Sequence, residues 1–285
     1  MAHPAPPRRQ WLGAVFGSLT SPRFLAGALA SAGCTTWPEP TIPMPTRRIA
    51  ARGATRARCV LLPGALSRAE DFVTEGFVAD LQAAAPACEI VLAEAHVGYF
   101  VEDLMLPRLR ADVVQPGTAG ASDASGTSGA PGSPSIKPWL VGISLGGFAA
   151  LAYAMRHGRE IAGVLVLAPY LGRRTLLRDI TAAGGPRLWR DMPPVPGKPY
   201  ETIEDDLWRW LARPGLGTAA STLSSLPIHL GYGLDDRFAD AQRVLQSLLP
   251  AGHTHTVPGG HDWAPWRALW QNWLRGGWLS HGRQW

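Results

Sequence analysis

The segment GISLGG places one serine, Ser144, between Gly142 and Gly146 at the end of an apolar run. In a sharp turn from a strand to a helix, side chains two residues before and after such a serine collide with neighbouring backbone, so both positions require glycine. The turn presents the serine hydroxyl above the carboxyl end of a sheet and points the first N–H groups of the next helix at an anion. These residue types suit a serine nucleophile, and a glycine-rich turn with a capping serine is the alternative.

A serine nucleophile needs a base, and the base needs a carboxylate that orients it. Asp235 and Asp236 follow one apolar run in GLDDRF, and His261 follows a later run in VPGGHDW. Taken singly, a loop aspartate is usually a turn former. A serine, an aspartate and a histidine at successive ends of apolar runs favour a catalytic triad far more than any one of them does.

Apolar runs and helical patterns alternate along the chain from about residue 56. The predicted strands are RRIAAR, which is weak, CVLLPG, CEIVLAEA, WLVGI, AGVLVLAPY, LPIHLGYG and HTHTV. The predicted helices are SRAEDFVTEGFVADLQAAAP, FVEDLMLPRLRADVV with a break near Pro107, SLGGFAALAYAMRHG, RFADAQRVLQSLLPAG and WAPWRALWQNWLRGGWL. Continuous apolar strands between helices indicate an α/β fold with a mostly parallel sheet covered on both faces.

The chain from this point to its end resembles the α/β-hydrolase fold superfamily, on its serine esterase side. The resemblance rests on PGALS, GISLGG, GLDDRF and GGHDWAPW, and on the order serine, aspartate, histidine. It implies that Ser144 is the nucleophile and His261 the base. The acid of this family commonly ends a G-x-x-D segment, and counting from Gly233 gives Asp236, with Asp235 as the alternative.

The resemblance also implies an oxyanion hole, built from two backbone N–H groups. One donor is the residue after the nucleophile, Leu145. The other is Ala65 in the segment LLPGALS, where Gly64 matches the glycine of the family's His-Gly-X turn. Pro63 stands where many members have histidine.

Together these residues predict a serine hydrolase, of carboxylesterase type, that cleaves a small-molecule or lipid ester, or a thioester, through an acyl-enzyme on Ser144. Acyl transfer to an acceptor other than water would use the same triad. A non-catalytic α/β-hydrolase-like protein of the cell envelope is the alternative from another class.

No Walker or dinucleotide glycine pattern predicts a cofactor, and His253 and His255 have no partners at metal-ligand spacing. The net charge of +5 comes from scattered arginines without a basic stripe, which does not favour nucleic acid as a partner.

The first 34 residues carry the features of an export signal. Two arginines come early, and no acidic residue precedes Glu39. SAGC resembles a bacterial lipobox with Cys34 as the lipidated residue, although Ser31 replaces the usual large aliphatic residue. Cleavage after Ala32 at an ordinary A-x-A site is the alternative. No run is long and clean enough for a permanent transmembrane helix. We therefore expect a protein of the periplasm or cell envelope, with membrane anchoring through Cys34, and a cytoplasmic protein is the alternative.

The predicted organisation is an export signal at 1–34, a Pro/Arg-rich tether at 35–55 and an α/β-hydrolase domain at 56–285. Within that domain, 116–138 is rich in Gly, Ser, Ala and Pro, which predicts a flexible insertion. The stretch 170–226 fits no core strand and is predicted to be a cap. Its apolar side chains either line an acyl pocket or form the cap's own core, the candidates being Leu176, Leu177, Trp189, Trp208 and Trp210.

Two cysteines, Cys59 and Cys88, open two of the predicted strands. In a parallel sheet they lie at the same end, where they could pair in an oxidising compartment. The alternative is a pair of buried thiols that act as small hydrophobic side chains.

Overall fold

The computed structural model describes residues 37–116, 136–193, 202–214 and 226–280. The predicted export signal lies outside the described residues, as do most of the Gly/Ser-rich insertion and two parts of the predicted cap. No helix within the described ranges is long and apolar enough to cross a membrane.

The described chain forms one seven-stranded sheet in the order β1-β3-β2-β4-β5-β6-β7. The strands are β1 (Thr46–Ile49), β2 (Ala57–Leu62), β3 (Cys88–Ala93), β4 (Trp139–Ile143), β5 (Gly163–Leu167), β6 (Ile228–Gly233) and β7 (Thr254–Val257). β1 pairs antiparallel with β3, and every other pair is parallel.

Helices connect the strands and pack on the sheet. In the described residues they are α1 (Asp71–Thr74), α2 (Phe77–Ala84), α3 (Val97–Val101), α4 (Met105–Arg108), α5 (Leu145–His157), α6 (Arg174–Ala182), α7 (Pro186–Asp191), α8 (Ile203–Leu211), α9 (Ala239–Gln246) and α10 (Trp263–Arg275). α4 continues as a π-helical turn over Leu109–Val114, and two 3₁₀ turns lie at Gly158–Glu160 and Trp278–Ser280.

The two faces of the sheet bury separate hydrophobic clusters, because successive side chains of a strand point to opposite faces. Leu61 and Val141 belong to the cluster formed with α1, α2 and α10. Val60 and Leu140 belong to the larger cluster formed with α3 to α6, α8 and α9. Every strand position from 59 to 62 is buried, as expected for a strand covered on both faces. The predicted α/β class, a mostly parallel sheet with helices on both faces, is confirmed.

Two of the predicted helices are divided, and in both cases a residue with positive φ breaks the helix. Gly76, with φ of 81°, separates α1 from α2. Asp103, with φ of 56°, separates α3 from α4. The break predicted near Pro107 lies at Asp103, ahead of it, and Pro107 itself lies in the first turn of α4, where no intrahelical N–H bond is lost.

The strand order places a topological switch point between the carboxyl ends of β2 and β4. The connection from β2 leads to β3 on one side, and the connection from β4 leads to β5 on the other. Leu62, the last residue of β2, pairs with Gly142 near the end of β4. Ligands of open α/β sheets bind at this kind of switch point.

Candidate active site

The turn between β4 and α5 holds Ser144 in a strained conformation, with φ of 53° and ψ of −113°. A Cβ atom on Gly142 would overlap the carbonyl oxygen of Gly146, and one on Gly146 would overlap the carbonyl oxygen of Leu62. Both glycines are therefore needed for the close approach of β2, β4 and α5. Strained residues of this kind persist where the surrounding structure holds them, and they concentrate at functional sites.

The backbone of Ser144 is fixed from both sides by neighbouring segments. Its N–H donates to the Leu167 carbonyl of β5 at 3.0 Å. Its carbonyl accepts from the N–H groups of Tyr170 at 3.0 Å and Phe148 at 3.1 Å. No motif in the sequence assigns Tyr170 to the site, although its position just after β5 places it at the carboxyl ends of the strands.

The side chains of Ser144, His261 and Asp236 form one hydrogen-bonded chain. His261 Nε2 lies 2.9 Å from Ser144 Oγ, and His261 Nδ1 lies 2.8 Å from Asp236 Oδ2. The Asp236 side chain is fully buried, and that of His261 is 9% exposed. A carboxylate at Nδ1 holds the proton on that nitrogen, so Nε2 is left free to accept the proton of the serine hydroxyl.

The two candidate aspartates make different contacts. Asp236 reaches His261, and its other oxygen, Oδ1, accepts the N–H of Phe238 at 2.8 Å. Asp235 is exposed, and its Oδ2 accepts the N–H of Gly259 at 3.3 Å. Its own N–H donates to the Gly259 carbonyl at 3.0 Å. Asp235 therefore ties the loop after β6 to the loop that carries His261, whereas Asp236 contacts the imidazole.

Two aromatic rings enclose the imidazole of His261. Phe238 meets it edge-on at 5.1 Å between ring centroids, and Trp266 does so at 4.9 Å. Trp263, one turn before Trp266, packs instead against Phe72 at 5.8 Å. The aromatic walls restrict the rotation of the imidazole, which keeps Nε2 directed at Ser144. The segment GLDDRF contains Phe238 two residues after Asp236, and this spacing is the only sequence signal for its role.

The predicted oxyanion donors lie beside the serine. A Cβ atom on Gly64 would lie 3.4 Å from Ser144 Cβ, so the loop after β2 passes directly over the nucleophile. Ala65 follows Gly64 and is partly exposed, and Leu145 is the first residue of α5. In the described part of the chain, neither the Ala65 nor the Leu145 N–H has a hydrogen-bond acceptor. The first N–H groups of a helix lack intrahelical acceptors, which leaves the Leu145 N–H available to an anion.

Within the predicted cap, a buried ionic cluster joins α8 to the segment that follows β5. The Tyr170 hydroxyl donates to Glu204 Oε1 at 2.7 Å, and Arg173 donates to Glu204 Oε2 at 2.9 Å. Burial, followed by the charge of Glu204 and this hydrogen bond, raises the pKa of Tyr170. Arg173 also pairs with Asp205, 3.0 Å away. The Tyr170 ring packs edge-on against Phe238 at 5.9 Å. The cluster therefore connects α8 to the wall of the histidine.

The apolar candidates of the cap belong to the main core. Leu176 and Trp208 are buried there, and the Trp208 indole N–H donates to the Leu171 carbonyl at 2.7 Å. The partly buried side chains packed against the same core include Leu177, Trp189 and Trp210. Among the described residues, no three His, Cys, Asp or Glu side chains are placed to hold a metal ion.

The geometry of this site suits nucleophilic attack on a carbonyl carbon. A serine hydroxyl next to an oriented imidazole can become a nucleophile, and two N–H groups beside it can receive an oxyanion. The carboxylate balances the charge that the imidazole acquires.

A family model described as "Putative esterase" matches residues 131–274. Among solved structures, an S-formylglutathione hydrolase from Staphylococcus aureus is 15% identical, with a TM-score of 0.49 over 78% of this chain and 81% of that one. A monoacylglycerol lipase from Paleococcus ferrophilus is 16% identical, with a TM-score of 0.44 over 82% of this chain and 98% of that one. No curated protein matches this sequence significantly.

Proposed function

The chain belongs to the esterase family that this model describes, and from that premise we propose that it is a serine hydrolase of carboxylesterase type. The proposed reaction is hydrolysis of a carboxylic ester or thioester through an acyl-enzyme on Ser144. The observation that carries the proposal is the position of His261 between Ser144 Oγ at 2.9 Å and Asp236 Oδ2 at 2.8 Å.

In the proposed acylation step, His261 Nε2 takes the proton from Ser144 Oγ while the oxygen attacks the carbonyl carbon of the substrate. The carbonyl oxygen becomes an oxyanion and receives hydrogen bonds from the N–H groups of Leu145 and Ala65. When the intermediate collapses, the bond to the alcohol or thiol breaks, and His261 returns the proton to this leaving group. The acyl group remains on Ser144 as an ester.

In the proposed deacylation step, His261 takes a proton from water, and the resulting hydroxide attacks the acyl carbon. The same two N–H groups stabilise the second oxyanion, and the proton returns from His261 to Ser144 as the acid leaves. Asp236 accepts a hydrogen bond from Nδ1 throughout and balances the charge of the imidazolium. Loss of one oxyanion donor typically raises such a barrier by about 3–4 kcal/mol.

The proposed substrate is a small-molecule or lipid ester, or a thioester. Exposed Leu66 supports an apolar acyl group, since it follows the predicted oxyanion donor Ala65 directly and keeps 74% of its surface exposed. The length of the acyl chain is the variable that Leu66 would influence most.

The test is labelling with an active-site-directed fluorophosphonate, followed by hydrolysis of p-nitrophenyl esters of graded chain length. We expect one phosphonyl adduct, located on Ser144, and turnover of at least some members of the series. A folded protein that neither takes up the label nor hydrolyses any ester would contradict the proposal and favour a non-catalytic role. Release of acylated alcohol instead of free acid, with an alcohol present in excess, would indicate an acyltransferase.

A further inference from the structure

Two thiols lie side by side near the amino ends of two neighbouring strands, at the end of the sheet opposite Ser144. β2 and β3 are parallel neighbours in which Ala57 pairs with Cys88 and Cys59 pairs with Ile90. The cysteines are therefore two positions apart on the same face, and their Sγ atoms lie 3.4 Å from each other. Both are reduced in this structure. The two sulfurs are in contact, and an S–S bond of about 2.05 Å would require them to approach each other by about a further 1.3 Å.

A cavity of about 310 Å³ opens beside these thiols, at the amino ends of β2 and β3. Its wall is mainly apolar and includes Ala84, Ala85, Leu274, Trp278, Cys88 and, as its one charged residue, Arg56. Cys88 contributes to this wall and retains 3% of its surface exposed, whereas Cys59 is fully buried and does not line the cavity. A reagent that enters the cavity therefore meets Cys88 first.

We propose that Cys59 and Cys88 form a dithiol that is oxidised through this cavity, with small apolar disulfides as the class of oxidant. The Cys88 thiolate attacks one sulfur of the oxidant, the S–S bond breaks, and the first thiol leaves with that electron pair and takes up the proton that Cys88 lost. A mixed disulfide then links Cys88 to the other half of the oxidant. This modification site is independent of the proposed ester hydrolysis.

Cys59 completes the exchange. Its sulfur loses a proton and attacks Cys88 Sγ, which expels the second thiol and leaves a Cys59–Cys88 disulfide. Two cysteine thiols are oxidised, and one disulfide is reduced to two thiols. Burial, and then the neighbouring Cys88 thiol, raise the pKa of Cys59. Because only a thiolate attacks a disulfide, this raised pKa disfavours Cys59 in the first step, and what favours it in the second step is its contact with Cys88 Sγ at 3.4 Å.

The structure also predicts what the disulfide would change. It would connect β2 to β3 at the amino edge, whereas Ser144 follows the carboxyl end of β4. A crosslink restricts the unfolded chain, so the oxidised protein should have a higher Tm than the reduced protein. Ester hydrolysis should be the same for both forms, because the crosslink would lie at the end of the sheet opposite Ser144.

The experiment uses the full chain with Cys34→Ala, so that only these two thiols remain. The reduced protein is treated with dipyridyl disulfide, and its intact mass is followed with time. We expect a final product that has lost two hydrogens and carries no pyridylthio group. Peptide mapping at early times should place the transient pyridylthio adduct on Cys88. A final product with two adducts, or with unmodified thiols, would overturn the proposal.

Two single variants in the same background test the order of attack. Cys59→Ala should retain a stable pyridylthio group on Cys88, because no second thiol can displace it. Cys88→Ala should react at least tenfold more slowly in the native state than Cys59→Ala, and at the same rate after denaturation. Equal native rates would show that the cavity does not control access. Early-time mapping of the parent protein gives the same information if either variant fails to fold.

Discussion

The backbone of Ser144 is held by contacts that do not involve its hydroxyl, which makes Ser144→Ala a clean test of the nucleophile. The bonds to Leu167, Phe148 and Tyr170 all use main-chain atoms of residue 144. We therefore expect an unchanged Tm and circular dichroism spectrum. The kcat for an ester should fall by roughly 10³-fold or more, with residual activity from binding and the oxyanion hole. Turnover close to that of the parent protein would show that another residue attacks the ester.

The adjacent aspartates provide a matched pair. Asp236→Asn should lower kcat by up to about 10⁴-fold, because an amide N–H directed at Nδ1 of His261 favours the tautomer with a proton on Nε2. Asp235→Asn keeps an oxygen that can accept the Gly259 N–H, so kcat/KM should change only a few-fold. Steady-state kinetics on a p-nitrophenyl ester decides between them. The opposite ranking would assign the acid to Asp235.

At the scale of elements, the strand–turn–helix unit of β4 and α5 depends on glycine at position 146. Gly146→Ala places a Cβ atom against the Leu62 and Pro63 carbonyl oxygens, so β2 and α5 must move apart. We expect a loss of about 1–3 kcal/mol in the free energy of unfolding, the usual effect of overpacking, and a large loss of activity.

The control for this substitution lies at the other end of α5. Gly158→Ala puts its Cβ 3.4 Å from Leu226 Cδ2, and Gly158 has a right-handed helical backbone. Alanine fits there, and it leaves the unfolded chain fewer conformations than glycine does. The free energy of unfolding of this variant should therefore be unchanged or about 0.4–1 kcal/mol higher. Denaturant unfolding of both variants makes the comparison. Equal destabilisation by the two would contradict the packing argument.

The N-cap residue of helix α3 makes the stability of the protein sensitive to acid. His96 is its N-cap, and Nδ1 accepts the Gly98 N–H at 3.1 Å, which requires a neutral ring. Burial lowers the pKa of His96, the Glu94 carboxylate opposes that shift, and Arg68 adds to it. Since the folded pKa lies below the unfolded value, this contribution to stability is complete above about pH 6.5 and is lost as the pH falls through the folded pKa.

His96→Asn supplies the test of this pH dependence, because asparagine caps a helix but does not titrate in this range. We expect the free energy of unfolding of the parent protein to fall more steeply than that of the variant between pH 7 and pH 5. Other histidines contribute equally to both proteins, so the difference between the two curves isolates His96. Parallel curves would show that the cap does not depend on the charge of His96.

The elements differ in how far the sequence predicts them. Apolar runs of four to six residues between turn signals predict the strands well, because burial on both faces leaves a continuous pattern. The direction of β1 is not encoded in its own residues, since it depends on pairing with β3. Asp103 looks like an ordinary helical residue in sequence, so the sequence indicates a break near Pro107 but not its position at Asp103. For the site, the strand ends predicted where Ser144 and His261 lie, but only tertiary packing brings Phe238 to the imidazole.

At the scale of the whole molecule, the N-terminal segment meets the sheet at the carboxyl ends of the parallel strands, where the proposed active site also lies. β1 is antiparallel to β3, and its first residue, Thr46, pairs with Ala93 at the carboxyl end of β3. The preceding segment is fixed near that edge, because the Tyr99 hydroxyl donates to the Thr41 carbonyl at 2.6 Å and the Met44 N–H donates to Asp112 at 2.7 Å. The described chain therefore begins at the same end of the sheet as Ser144.

This arrangement matters for the location of the protein in the cell. We propose that the mature protein begins at Cys34, carries lipid on that cysteine and stays in the cell envelope. One acyl chain gives only marginal binding to a membrane, whereas several chains on one residue anchor a protein stably. The carboxyl ends of the strands would then lie close to the lipid surface, where lipid esters are available to the proposed active site.

Intact-mass measurement of protein from membranes of its native host should show residues 34–285 with acyl chains attached. Cys34→Ala should shift the protein from the membrane fraction to the soluble fraction. A soluble parent protein that retains residues 1–33 would contradict export, and cleavage after Ala32 with a free Cys34 would keep export and exclude the anchor.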